Sequence, residues 1–124
     1  MKHLLFIALG GALGALARHG LGTGVHALWH VRFPVGTLLV NVLGSFLIGV
    51  AFVLITEKGY FHPDWKSVLM VGFLGAFTTF STFSLETVSL FDSGQWLLAL
   101  GYMLSSLTAC VVAAAVAIAL TRML

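Results

Sequence analysis

The stretch Gly72-Phe-Leu-Gly75-Ala-Phe-Thr78-Thr79-Phe80-Ser81-Thr82-Phe83-Ser84 decides how this chain folds. From Thr78 to Ser84, five of seven residues carry a hydroxyl and the other two are Phe. The stretch lies inside a mostly apolar run from about residue 66 to 91, long enough to cross a bilayer. It is a poor sequence for a plain helix, because Thr is β-branched and Ser and Thr compete for backbone hydrogen bonds. Two structures are open to it. One is a continuous helix whose hydroxyls bond back to preceding carbonyls. The other is a helix broken at membrane depth, tolerated only where the break is buried in protein or lines a cavity. Gly72, Gly75 and the Thr78-Thr79 pair just before the aromatic repeat favour the break.

The rest of the chain supplies three more apolar runs. Of 124 residues, 60% are hydrophobic and 8% charged, against roughly 25% charged in soluble domains. That is too little polar surface for a soluble monomer of this size. The expected fold is an all-α membrane protein, one domain over residues 1–124, with spans at about 4–28, 35–56, 66–91 and 95–122. Lys2, His3 and the following apolar residues resemble a signal peptide. No short core with a cleavage site follows, so this segment reads as the first permanent helix. Trp29, Tyr60, Trp65 and Trp96 fall at span ends, as in an interfacial aromatic belt.

Charge excludes some partners. Six Lys and Arg against four Asp and Glu give a net +2, too mild for a nucleic-acid partner. With the N-terminus inside, Lys2, Lys58, Lys66 and Arg122 lie on the inner side, while Arg32 and the nearby Arg18 lie outside. This weak bias permits insertion in both orientations. Cys110 is the sole cysteine, so no intrachain disulfide forms. The five histidines sit at or near helix ends, and the nearest helical pair, His26 and His30, has no acid or Cys beside it, so they read as interfacial. The four acids are too scattered for a catalytic arrangement.

Polar residues inside the spans are the candidates for function. In the first span, Gly10 and Gly14 form a GxxxG pair suited to close helix approach. In the second, Thr37, Asn41, Ser45 and Gly49 recur every four residues on one face. They form either interhelical glue or a polar lane along a conduction path. Phe80 and Phe83 share a face, flanked by the hydroxyls of Ser81, Thr82 and Ser84. The bland alternative is plain packing. The other is that their electropositive ring edges meet a small anion. Glu86 lies near the end of this span, at the interface or at a pore mouth. In the fourth span, Tyr102, Ser106 and Cys110 share a face. Arg18 reads as snorkelling to headgroups, with a tie to a helix C-terminus as the alternative.

"GGALGALARHG" (10–20), "GTLLVNVLGSFLIG" (36–49) and "GFLGAFTTFSTFSLE" (72–86) together resemble the CrcB/Fluc fluoride channels. The resemblance covers essentially the whole chain, and TTFSTF is its most specific part. His19 departs from it, standing where a bulkier aromatic is expected, as does Cys110, which interrupts the polar face of the last helix. The resemblance implies an antiparallel, dual-topology homodimer in a bacterial inner membrane, with two narrow fluoride paths. It implies that Gly75 and Thr78 offer backbone carbonyls to a central structural Na⁺. Asn41, Phe80 and Phe83 would line each path, with Tyr102 and Ser106 on its polar side. Thr37, Ser81, Thr82, Ser84 and Glu86 complete the candidate pathway. Such a channel passively exports fluoride trapped in the cytoplasm after HF crosses the membrane and dissociates. It needs no enzymatic chemistry. A proton-coupled four-span exporter and a non-transporting scaffold are the alternatives. The former needs a membrane-embedded carboxylate, for which Glu86 is the one candidate; the latter leaves Asn41 and TTFSTF without a reason.

Overall fold

A computed structural model describes all 124 residues, and every regular element in it is helical. Helix α1 (Lys2–Leu28) crosses in one direction, and Pro34 precedes the return helix. That helix, α2 (Val35–Ala51), continues in wider π-helical turns over Phe52–Glu57. The third crossing is split. Helix α3 (66–77) is π-helical over Lys66–Leu74 and α-helical over Gly75–Phe77, and after two extended residues α4 (Phe80–Asp92) resumes. Helix α5 (Trp96–Arg122) closes the bundle. Four crossings are long and apolar enough to span a membrane, at Lys2–Leu28, Val35–Glu57, Lys66–Asp92 and Trp96–Arg122. The protein is a multi-pass membrane protein. The span boundaries expected from hydropathy differ from these by no more than two residues.

Small residues explain which helices touch. A Cβ on Gly10 would collide with the carbonyl oxygen of Val68, and one on Gly14 with that of Phe73. The GxxxG pair therefore seats α1 on the backbone of α3, within one chain. At the membrane centre a Cβ on Gly44 would strike the Thr78 methyl, so α2 lies directly against the break. On the other flank, Gly49 meets the carbonyl of Ala114 at 2.8 Å from its notional Cβ, which lets α2 pack on α5. Close backbone approach of this kind replaces the hydrophobic drive that lipid cannot supply.

Two small apolar cores result. Val40, Ala51, Ile55, Leu74 and Phe77 form one between α2 and α3. Leu90, Ala99 and Tyr102 form the other between α4 and α5. Trp29, Tyr60, Trp65 and Trp96 are all at least half exposed, as an interfacial belt requires. At the end of the bundle carrying both termini, Arg122 donates to Glu57 at 2.8 Å and Lys2 pairs with Asp64 at 3.3 Å. Such exposed pairs contribute little stability.

Candidate conduction site at the helix break

Thr78 (ψ 156°) and Thr79 (φ −149°, ψ 120°) are extended, so the third crossing loses its helical ladder at mid-membrane. The chain repairs part of that loss itself. The Leu74 carbonyl accepts from the Thr78 amide and from the Thr78 hydroxyl, both at 3.1 Å. The Ala76 carbonyl accepts from Arg18 Nε at 3.0 Å. Arg18 thus points inward and caps the C-terminus of α3; the headgroup reading does not hold. A cation there also suits the negative end of the helix dipole.

Asn41 holds the far side of the break. Its Oδ1 accepts from the Thr79 amide at 2.8 Å, and its Nδ2 donates to the Thr79 carbonyl at 3.0 Å. The side-chain amide does for Thr79 what a neighbouring strand would do, satisfying both peptide groups of one extended residue. Helix α4 then starts from a Thr79 cap, whose Oγ1 accepts from the Thr82 amide at 3.2 Å. The Ser84 and Thr87 hydroxyls bond back to the carbonyls of Phe80 and Phe83. The back-bonded helix and the broken helix are therefore both present, in successive segments.

Some groups at the break accept or donate nothing within the chain. The carbonyls of Gly75, Phe77 and Thr78 receive no hydrogen bond, and the amides of Phe80 and Ser81 give none. The carbonyl end of α3 and the amide end of α4 face one another across two residues. Broken helices offer this pairing, a cation-favouring end beside an anion-favouring end, for ions at membrane depth.

Two cavities meet here. A cleft of about 500 Å³ runs between α2, the break and α5, lined among others by Asn41, Ser45, Thr78, Phe80, Phe83, Ser106 and Cys110. A second, more polar cavity of about 360 Å³ lies toward the opposite end, lined by Arg18, His19, His26, Thr37, Thr82 and Glu86. Thr79 borders both, so the Asn41–Thr79 clasp stands at the partition. Phe80 and Phe83 rings lie 5.3 Å apart, and Phe83 continues to Tyr102 at 5.0 Å. Phe80 is 78% exposed on the single chain. Ser106 Oγ is buried in the cleft wall with no partner.

Not every expected residue gathers at one point. Tyr102 is fully buried and faces neither cavity; Phe33 packs edge-on against it and its hydroxyl donates to Glu86 at 3.0 Å. Ser81 is exposed, and Ser84 is spent on its back-bond. Thr37, Thr82 and Glu86 belong to the vestibule, while Asn41, Phe80, Phe83 and Ser106 belong to the cleft. His19 and His26 line the polar vestibule, where an interfacial placement was expected. Their spacing of seven residues, two helical turns on one face, was the available signal.

A helical membrane protein with a broken crossing, ion-ready backbone groups at the break and a cavity on either side belongs to the class of channels and transporters. The family model for CrcB-like protein, Camphor Resistance (CrcB), matches residues 5–118, and the chain belongs to that family. It is 52% identical to the "Fluoride-specific ion channel FluC" of Hahella chejuensis over 124 residues, covering 100% of this chain and 98% of that protein. A protein with the same description in Saccharophagus degradans is 52% identical, covering 97% of this chain and 90% of its own length. Another, from Magnetococcus marinus, is 50% identical, with 98% of each covered.

Proposed function

We propose that this chain forms a fluoride-selective channel that lets cytoplasmic fluoride leave passively and so lowers its toxicity. The observation that carries this reading is the break itself, with the Asn41 clasp, the Phe80–Phe83 pair and the unpaired amides of α4 at the junction of two cavities. A small anion loses a large hydration energy in a narrow pore, so replacement contacts must be dense and fixed. Ring edges and helix N-terminal amides supply positive partial charge without a full cation that would trap the ion. The unpartnered Ser106 hydroxyl adds a donor on the cleft wall. Family membership and the relatives named fluoride-specific ion channels support the same substrate.

The functional unit in this proposal is a homodimer. Phe80 and Gly75 are exposed and the carbonyls beside them are open, and lipid cannot cover such backbone. A second copy can. The weak Lys and Arg bias, which permits either orientation, and the family resemblance support an antiparallel pair. The Gly75 and Thr78 carbonyls, free of other bonds, fit a structural Na⁺ on the two-fold axis, where two copies would double the oxygens. No cluster of three or more His, Cys, Asp or Glu side chains offers another metal site. When bound, that ion would supply fixed positive potential at the dimer centre.

A proton-coupled exporter is less well supported. It needs a carboxylate that exchanges protons at membrane depth, and Glu86 sits in the vestibule with its carboxylate bonded to Tyr102. Proteoliposomes loaded with potassium fluoride separate the readings. Efflux on adding valinomycin, without a pH gradient, supports the channel. Movement only when a pH gradient is imposed supports the exporter, and no movement in either case supports a scaffold.

A further inference from the structure

We infer that His19 and His26 are anion-recruiting groups of the polar vestibule, and that their protonation raises fluoride conductance as pH falls. The inference rests on the fluoride-channel reading and deepens it. Both side chains are exposed on one face of α1 and line the same cavity, which reaches down to Thr79 at the break. Between them, Thr23 turns its hydroxyl back to the His19 carbonyl at 2.8 Å, which leaves the imidazoles as the groups α1 presents there above Arg18.

The remaining charges facing the cavity are few. Helix α1 contributes Arg18, whose Nε is committed to the Ala76 carbonyl, and α4 contributes Glu86, which accepts from Tyr102 of α5. Helix α2 contributes Gly36, Thr37 and Val40, none of them ionisable, and α3 contributes nothing to the lining. Arg18 and Glu86 offset one another formally. The charge that an arriving anion meets is therefore set by the two histidines. Imidazole is the side chain that changes charge between pH 5 and 8. Protonation carries the vestibule from near balance toward two net positive charges. A recessed positive cavity concentrates anions and speeds their capture. In an antiparallel pair each membrane face would carry one such vestibule. Fluoride stress is greatest in acid, because more HF then crosses the membrane, so conductance would rise when it is most needed.

At near-aqueous screening and a separation of about 8 Å, each added charge raises local anion concentration roughly two- to threefold. Two charges give about four- to ninefold. The test is initial fluoride efflux from proteoliposomes with valinomycin, at equal pH inside and out, compared at pH 8.0 and 5.5 after subtracting protein-free vesicles. The wild type should show at least a threefold higher rate at pH 5.5, and 0.5 M salt should shrink that ratio. In the His19→Gln/His26→Gln double variant the ratio should fall to about one. Each single variant, checked for assembly by size exclusion, should keep part of it. A ratio near one in the wild type overturns the inference, and so does a full ratio surviving in the double variant. If that surviving ratio vanishes in Glu86→Gln, the acid is the sensor instead. Wild-type efflux absent at both pH values overturns the channel reading itself, and this inference with it.

Discussion

Replacing Asn41 with alanine removes the donor and the acceptor that hold Thr79 extended, and leaves both of its peptide groups without partners. Stranding one buried polar backbone group costs about 1–3 kcal/mol. Thr79 is only partly buried, so two stranded groups cost about 2–4 kcal/mol together. In a chain of this length that corresponds to a fall of roughly 6–15 °C in thermal midpoint. The Asn41→Asp variant keeps the acceptor for the Thr79 amide but replaces the donor with a negative charge. It should therefore be no more stable than Asn41→Ala, and the added charge should also repel the permeant anion. The assay pairs thermal denaturation in detergent with fluoride efflux from vesicles. Asn41→Ala should lose both stability and flux. A thermal midpoint within about 1 °C of wild type would refute the claim that this amide holds the break.

Three further outcomes follow from the same geometry. Gly14→Val would drive a side chain into the Phe73 carbonyl, a backbone atom that cannot swing aside. A loss of about 3 kcal/mol or more is expected, seen as a collapse in monodisperse yield. A single Cys placed in the loop over 58–65, with Cys110 replaced, should label to about half from either side of the membrane, and one-sided labelling would contradict the antiparallel dimer. Exhaustive removal of Na⁺ should weaken dimer assembly or fluoride flux, with K⁺ a poor substitute. Unchanged behaviour without Na⁺ would count against the carbonyl site.

The four crossings were legible because each is a run of about 20 apolar residues, and hydropathy alone marks such runs. The break was favoured over a continuous helix because Gly72, Gly75 and the Thr78-Thr79 pair precede a hydroxyl-rich run that suits a plain helix poorly. What lies across from a residue was not. The four-residue spacing of Thr37, Asn41 and Ser45 places them on one face, yet says nothing of the Thr79 peptide opposite Asn41. Arg18 was misjudged for the same reason, since its partner is a main-chain carbonyl 58 residues away. The π-helical turns over Phe52–Glu57 and Lys66–Leu74 left no trace in composition, because an apolar segment reads alike at either helical pitch. His19 and His26 were assigned to the interface by proximity to a helix end. A vestibule that reaches from that end to the membrane centre makes such proximity ambiguous.

In the proposed channel, fluoride passes where the Phe80 and Phe83 rings flank the break. The most direct measurement is fluoride efflux from vesicles containing Phe80→Ile. That change keeps apolar bulk at an exposed position, touches neither the Asn41 clasp nor the Arg18 cap, and removes the ring quadrupole. Efflux should collapse toward the protein-free leak while size exclusion still shows the wild-type assembly. Wild-type efflux from a correctly assembled Phe80→Ile protein would contradict it.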